Sequence, residues 1–300
     1  MPVQTLRLSY YPWITQNMAQ DVLRGYIQGF AVELSKQLST SGAPIDVMVQ
    51  DPVAVPVQIQ MIAEASTDIS LMNPLGYAFA RQRNAAVSAA AVALRMIDGK
   101  EGDVYFAQLY TNRITAIATG IDKDLADGDP AWGQIAKKLS GRKMGYGSRQ
   151  STSNFLMPAY LMWRQGIHPF TTFETARFVG GHDTVAQAVY NGSVDLGAGH
   201  DGVIVDLSNQ YSFGDAMNRL VRIARVTIKS DPVVINIQDA NLAQRVTAGL
   251  LAAGKTQGGK SALAGFWGGC TGLAGVKADA YDSLLDAAKA LGLREQDVMG

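Results

Sequence analysis

Cysteine is nearly absent from this chain, and its scarcity excludes several kinds of site. Cys270 is the only cysteine among 300 residues. A single thiol cannot form an internal disulfide, a C-x-x-C redox pair or a zinc site built from cysteines. The fold must therefore rest on a hydrophobic core, and hydrophobic side chains make up 47% of the sequence.

An excess of charge of either sign is also missing. Lys plus Arg and Asp plus Glu both number 26, and no run of basic residues occurs. A protein that holds a polyanion by counterion release needs a concentration of positive charge. Nucleic acid is therefore not expected as a partner.

Long hydrophobic runs are missing as well. The longest apolar stretches, such as residues 85–94, fall far short of the roughly 20 residues that span a bilayer. The first residues, Met1-Pro2-Val3, do not lead into a basic segment and an apolar stretch, so no signal peptide is predicted. We expect either a cytoplasmic protein or a mature form with a starting Met added.

Signatures of catalysis are scarce too. The chain has no G-x-S-x-G elbow, and its three histidines, His168, His182 and His200, form no H-x-x-x-H pair. A metal held by His182, His200 and Asp201 stays open as an alternative, although the ligand spacing does not favour it. We therefore expect no metal, no cofactor and no enzyme activity.

What the sequence does contain is an alternation of β-like and helical patterns, typical of α/β architecture with mainly parallel sheets. Apolar residues from Val22 to Leu38 repeat at helical spacing. The predicted strands are Leu6–Tyr11, Ile45–Val49, Asp68–Met72, Val104–Tyr110, Arg113–Thr119, Lys143–Tyr146, Ala176–Val179, Val194–Gly197, Val221–Ile228 and Val233–Ile237.

Breaks in two strand-rich stretches, at residues 111–112 and 229–232, are interpreted as crossings between two lobes. The sequence then predicts that residues 1–110 and 230–300 form lobe 1 and that residues 111–229 form lobe 2. A ligand cleft is expected between the lobes, where residues that follow strands would line it.

The most informative segment is Ser151-Thr152-Ser153, which follows a predicted strand and a loop with Gly147. A helix that begins here presents unpaired N–H groups and the positive end of its dipole, a combination that binds anions. Three hydroxyls would add neutral donors. The alternative is an ordinary N-cap, but a cap needs one such residue and not three.

Two further candidates follow predicted strands. His182 lies in the Gly180-Gly181-His182-Asp183 loop, where Asp183 is a natural N-cap. Asp231 precedes Pro232 and could accept a hydrogen from a protonated oxyanion or pair with His182, although a turn residue is the plainer interpretation.

Residues 254–261 match the P-loop pattern G-x-x-x-x-G-K-[ST]. Such a loop must follow a strand and open a helix, whereas this segment follows a predicted helix. We interpret it as a flexible loop that closes the helix, and we do not expect nucleotide binding.

At these residues the chain resembles the phosphate, phosphite and phosphonate solute-binding proteins of ABC importers, which have the two-lobed type II periplasmic-binding-protein fold. The resemblance covers nearly the whole chain. It rests on five segments, Asp68-Ile69-Ser70-Leu71-Met72-Asn73-Pro74, Ser151-Thr152-Ser153, Gly181-His182-Asp183, Val194-Asp195-Leu196-Gly197-Ala198 and Ser230-Asp231-Pro232.

The resemblance implies that the chain is a monomer that works outside the cytoplasm. There it would capture a small phosphorus oxyanion and pass it to a membrane permease. The implied ligand contacts are Ser151, Thr152, Ser153, His182 and Asp231. Asn73, Tyr11 and Asp201 are further ligand-binding candidates. Tyr10, Tyr11 and Trp13 could wall in an organic group, or Trp13 could simply pack in the core.

The chain departs from the family pattern at two places. Asn154 stands where the family usually has Gly, and Pro56 and Met72 stand where some members have aromatic residues that wall in an aminoalkyl group. An amine cage is therefore not expected. Two alternatives stay open: the same fold with another oxyanion or a small organic solute, and an acid–base enzyme that uses His182 and Asp231.

Overall fold

The computed structural model of the chain describes residues 3–12, 18–40, 43–97, 99–126 and 132–299. The strands are β1 (Gln4–Tyr10), β2 (Ile45–Val49), β3 (Ile69–Leu71), β4 (Ser88–Ile97), β5 (Lys100–Gly102), β6 (Val104–Asn112), β7 (Lys143–Tyr146), β8 (Thr175–Phe178), β9 (Leu196–His200), β10 (Leu220–Lys229), β11 (Pro232–Ile235) and β12 (Cys270–Ala274).

The helices are α1 (Gln20–Leu38), α2 (Val55–Ala63), α3 (Pro74–Arg83), α4 (Arg113–Thr119), α5 (Ile121–Ala126), α6 (Trp132–Leu139), α7 (Met157–Arg164), α8 (His182–Tyr190), α9 (Val203–Ser208), α10 (Ala216–Arg219), α11 (Ala240–Ala253), α12 (Gln257–Trp267), α13 (Asp282–Ala290) and α14 (Glu295–Met299). A π-helical turn, Thr152–Leu156, precedes α7, and a 3-10 turn spans Tyr211–Phe213.

The chain divides into two compact units. Unit 1 comprises Met1–Tyr105 and Lys229–Leu285, and unit 2 comprises Phe106–Ile228 and Asp286–Gly300. From the sequence, residues 230–300 were instead expected to lie entirely with residues 1–110. The end of the chain belongs to unit 2 because Leu291 and Leu293 pack against the hydrophobic core of that unit.

Unit 1 is built on a mixed sheet. Within the described residues its strand order is β12-β4-β11-β3-β1-β2, with β5 paired to β4. The β1–β2 and β1–β3 pairs are parallel, whereas β11 and β12 pair antiparallel with their neighbours. The expectation of mainly parallel sheets therefore fails here, because β11 and β12 come from the returning segment and insert in the opposite direction.

The core of unit 1 lies where α1, α11 and α12 cover this sheet. The buried face of α1 consists of Leu23, Ile27, Phe30, Ala31, Leu34 and Leu38, as its helical spacing predicts. These side chains pack in one cluster with Leu8, Leu250 and Phe266.

Unit 2 has a second sheet, with strand order β10-β6-β9-β7-β8 in the part of the chain that is described. Strand β7 is parallel to both β8 and β9. Two buried clusters stabilise this unit, one around Phe155 and Met162 and the other around Tyr110 and Val189.

One predicted strand is a helix. Residues Arg113–Thr119 form α4, although Ile114, Thr115 and Ile117 favour strands. The Asn112 side chain accepts a hydrogen bond from the Ile114 amide, and Gly120 ends the helix at φ 70°. The two caps outweigh the weak preference of the residues between them.

The P-loop look-alike is the turn between α11 and α12. It follows a helix, as expected, but it also opens one, so the expectation of a flexible loop is wrong. Thr256 caps α12 through a 2.9 Å hydrogen bond from the Gly259 amide. A Cβ on Gly259 would lie 1.9 Å from the Ala253 carbonyl oxygen, so this glycine serves close backbone packing.

Candidate functional site

The carboxyl ends of three neighbouring strands meet at one edge of the unit 2 sheet. Because β7 is parallel to β8 and β9, the segments that follow these strands begin at the same edge. The segments after β7 and β8 lead to Ser151 and His182, and His200 is the last residue of β9. Ligands of open α/β sheets bind at such an edge. The structure thus brings the two strongest sequence-predicted residues to one edge, and it adds His200.

Ser151 is the N-cap of the helical segment that follows β7. Its hydroxyl oxygen accepts a 2.9 Å hydrogen bond from the Asn154 amide, and its carbonyl accepts a 3.1 Å bond from the Leu156 amide. The second bond spans five residues, so the first turn is π-helical before α7 begins. Such π turns often occur at functional sites.

The triplet offers hydroxyl donors at this helix start. Ser151, Thr152 and Ser153 are buried, at 8%, 2% and 4% exposure. The Ser151 hydroxyl accepts one hydrogen bond but gives its own proton to no partner in the described residues. The Ser153 hydroxyl has no partner there at all. Two uncommitted O–H groups therefore lie beside the positive end of the helix, as an anion site requires.

A glycine and a cluster of aromatic rings hold this helix start in place. The Gly147 amide donates to the Asn154 carbonyl at 3.1 Å, which ties the end of β7 to the π turn. Beneath the turn, the Phe155 ring lies 5.2 Å from that of Tyr146 and 4.8 Å from that of Phe178. The predicted Gly-containing loop is thus an anchored turn, which keeps the hydroxyls in a defined arrangement.

His182 opens α8, and its ring is held in one protonation state. Its Nδ1 accepts a 3.3 Å hydrogen bond from the His200 amide, and the two imidazole rings lie 4.7 Å apart. Burial of the ring, followed by electrostatic repulsion from His200, lowers the pKa of His182 well below its usual value. Because Nδ1 accepts, the neutral ring carries its proton on Nε2, where it can serve as a donor.

One expectation near His182 needs correction, whereas a ligand role for Asp201 stays a prediction. The N-cap of α8 is Gly181, with no side-chain capping bond, so Asp183 lies inside the first turn and is not the cap. Asp201 follows β9 at the same sheet edge but is exposed, and its amide donates to the Phe106 carbonyl at 2.9 Å. The acidic neighbour of His200 is Asp206, whose Oδ2 lies 3.2 Å from His200 Nε2.

In unit 1, the structure pairs Asp231 with a cation that the sequence analysis did not identify. Arg95 Nη2 donates to Asp231 Oδ2 at 2.8 Å, and both side chains are largely buried. Arg95 also donates to the Ser230 hydroxyl and to the Trp267 carbonyl. Burial alone would lower the pKa of Arg95, but the attraction of Asp231 outweighs it and the pKa is raised. Asp231 thus has an arginine partner within unit 1, which the sequence did not predict.

Tyr11 and Asn73 also have structural partners in unit 1. The Tyr11 hydroxyl accepts a 3.2 Å hydrogen bond from Trp267 Nε1, and burial, with Asp231 as a further cause, raises the Tyr11 pKa well above its usual value. Asn73 caps α3 through a 2.6 Å bond from the Gly76 amide. Trp13 lies outside the described residues. A ligand role for Tyr11, Asn73 and Asp231 stays a prediction.

Two other features bear on the site classes considered above. Among the residues that the structure describes, no group of three or more His, Cys, Asp or Glu side chains is arranged to hold a metal ion. The helices in the described ranges include none with the length and apolar character that a membrane crossing requires.

Comparison with known proteins agrees with this architecture. The profile of a family described as "ABC transporter, phosphonate, periplasmic substrate-binding protein" matches residues 13–281. PhnD1 from Prochlorococcus marinus, solved in complex with methylphosphonate, is 20% identical, with a TM-score of 0.70 over 96% of this chain and 98% of that one.

Two other solved structures show the same fold. A binding-protein component of an ABC phosphonate transporter from Pseudomonas aeruginosa is 15% identical, with a TM-score of 0.66 over 96% of this chain and 87% of that one. A Xanthomonas citri protein bound to ATP is 14% identical, with a TM-score of 0.69 over 96% and 97% of the two chains. These neighbours confirm the expected two-lobed α/β fold of periplasmic binding proteins.

The family match covers most of the chain and includes the helix start at Ser151, the His182 loop and Asp231. The family consists of substrate-binding components of transporters and not of enzymes, and its description places it in the periplasm. On this evidence, the chain belongs to the family of periplasmic phosphonate-binding proteins of ABC transporters.

Proposed function

We propose that this protein captures a small phosphorus oxyanion, a phosphonate, phosphite or phosphate, at the helix start of Ser151. The observation that carries the proposal is the Ser153 hydroxyl, which belongs to a residue only 4% exposed, has no partner among the described residues and lies in the first turn of the helical segment. An oxyanion would accept from this group and from the uncommitted O–H of Ser151.

The groups of this site are neutral donors. Ser151, Ser153 and the Nε2–H of His182 carry no net charge, and the helix dipole supplies the positive potential. Neutral donors bind a tetrahedral anion by matching the number and direction of its oxygens, so selectivity depends on geometry and protonation more than on total charge.

We further propose that the protein delivers this ligand to the permease of an ABC importer outside the cytoplasm. Family membership supports this role. The closing of two lobes around the ligand, the contributions of Tyr11, Asn73, Asp231 and Asp201, and a monomeric state are predictions that accompany the proposal.

The identity of the organic group is a separate question, on which unit 1 offers one constraint. A carboxylate that binds the ammonium group of an aminoalkylphosphonate must be available to it, whereas Asp231 already pairs with Arg95 at 2.8 Å. We therefore expect 2-aminoethylphosphonate to bind no more tightly than methylphosphonate.

Isothermal titration calorimetry tests the proposal. The protein is first freed of co-purified ligand by unfolding and refolding, and is then titrated with methylphosphonate, phosphite, phosphate, 2-aminoethylphosphonate, sulfate and ATP. We expect at least one phosphorus oxyanion to bind with a dissociation constant in the micromolar range or below. Binding of sulfate or ATP alone would instead support the alternative of another ligand on the same fold.

A further inference from the structure

The Asn154 side chain is an unusual feature of the helix start. Its exposed fraction is 0%, and neither Oδ1 nor Nδ2 has a hydrogen-bond partner among the described residues. Buried amides are nearly always hydrogen-bonded, because an amide that loses its hydrogen bonds to water and gains none in the protein destabilises the fold. An amide with both polar atoms unsatisfied therefore needs an explanation.

The backbone on both sides fixes the place of this amide. Asn154 donates its N–H to the Ser151 hydroxyl oxygen, and its carbonyl accepts from the Gly147 amide. The carboxamide lies over Gly147, and a Cβ there would be only 2.3 Å from its Nδ2 and Cγ. A glycine at 147 is thus what admits the amide to the junction between β7 and the π turn, where the uncommitted hydroxyls lie.

Asn154 adds a second kind of polar group to the donors near this junction. Ser151, Ser153 and the Nε2–H of His182 offer O–H or N–H donors. A monoprotonated oxyanion also carries a P–O–H group, which needs an acceptor. The Asp231 carboxylate, the other acceptor considered for the ligand, already accepts a hydrogen bond from Arg95. The Asn154 carboxamide offers an acceptor and a donor in one neutral group.

We propose that Asn154 is a specificity-determining contact of this site, whose carboxamide hydrogen-bonds the oxyanion and accommodates both of its protonation states. The proposal rests on the function proposed above. Oδ1 accepts from the P–O–H of a monoanion, and after rotation Nδ2 donates to the same oxygen of a dianion. The protein then binds its ligand on both sides of the last ionisation of a phosphonate.

The competing explanation is that Asn154 only fills space against Gly147. Leucine has the same branching at Cγ but no polar atoms, so it separates the two explanations. If Asn154 only packs, Asn154→Leu should keep the affinity for ligand. If Asn154 is a ligand contact, leucine should stabilise the ligand-free protein, because an unsatisfied polar group is removed, while it weakens binding.

The experiment measures methylphosphonate affinity by calorimetry and the melting temperature of the ligand-free protein for the parent, Asn154→Leu, Asn154→Asp and the control Asn191→Leu. Asn191 is exposed and ends α8, so its variant should match the parent. We expect Asn154→Leu to weaken binding at least tenfold while the melting temperature rises by about 2 °C.

Asn154→Asp tests the dual role. A carboxylate accepts a hydrogen but cannot donate one, so affinity should fall at least tenfold between pH 5.5 and 8.5 as the ligand loses its last proton, with a much shallower profile in the parent. Should either variant fail to fold, Asn154→Ala replaces it in the affinity measurement.

The outcomes distinguish this inference from the function on which it rests. If the parent binds methylphosphonate and Asn154→Leu binds it equally well, the inference fails and the proposed function stands. Equal pH profiles for Asn154→Asp and the parent would overturn the dual role. If the refolded parent binds no phosphorus oxyanion, both proposals fail.

Discussion

Ser151 and Ser153 should respond differently to the same substitution. Ser151 caps the helical segment by accepting a 2.9 Å hydrogen bond from the backbone N–H of Asn154, and its own hydroxyl proton is available to a ligand. Ser153 has no hydrogen-bond partner in the described structure, so its hydroxyl is available to a ligand and caps nothing. Ser153→Ala should therefore impair binding alone, and Ser151→Ala should impair binding and stability together.

The magnitudes follow from the bonds involved. A hydrogen bond to a charged partner contributes about 1.5–3 kcal/mol, so each variant should bind the preferred oxyanion roughly ten to a hundred times more weakly. Loss of an N-cap costs about 1 kcal/mol, which for a protein of this size lowers the melting temperature by about 2–4 °C. Only Ser151→Ala should show this decrease without ligand.

Calorimetric titration and differential scanning fluorimetry of the ligand-free variants give both quantities. Parent-like affinity in Ser153→Ala would refute the assignment of the anion site to this helix start. A decrease in melting temperature in Ser153→Ala as large as that in Ser151→Ala would show that the Ser153 hydroxyl has a structural partner.

Three further predictions concern groups away from the triplet. Arg95→Met should lower the free energy of unfolding, measured with urea, by about 3–5 kcal/mol, because Asp231 stays buried without the guanidinium that pairs with it. The double variant with Asp231→Asn should recover part of that loss. Parent-like stability of Arg95→Met would contradict the ion pair. Folding lowers the pKa of His182, so its contribution to the free energy of unfolding should be fully present above about pH 6.5 and decrease as the pH falls below that value. His182→Gln should make this decrease between pH 7.5 and 5 smaller. An equal decrease in both proteins would argue against a ring held neutral. Lys260→Ala should leave oxyanion binding unchanged, whereas magnesium-dependent ATP binding lost in this variant would mean that residues 254–261 act as a P-loop.

Local sequence signals predicted a large part of the fold. The 3.6-residue spacing of apolar side chains located α1, and the boundaries of β2 and β7 were predicted as observed. Strand β4 was missed because its alanines have little preference for strands, and only its position between β11 and β12 makes it a central strand.

In the candidate site as well, the sequence predicted local motifs but not contacts between residues far apart in the chain. The helix start at Ser151 and the loop of His182 were evident because each follows a strand and lies in a short segment with glycine and hydroxyl or polar residues. The Arg95–Asp231 pair joins residues 136 positions apart, and no local pattern indicates it. In the sequence, Asn154 was evident only as a departure from a family pattern. Its contact with Gly147 was visible only in the structure.

By itself, then, the sequence determined the α/β class, the family and the two loops that carry the proposed oxyanion donors, because strand, cap and turn preferences act between residues a few positions apart. Only the tertiary structure decided which charges are already paired, which histidine is held neutral and which buried polar atoms have no partner. Those properties depend on solvent exclusion and on contacts between distant segments, and these exist only once the chain has folded.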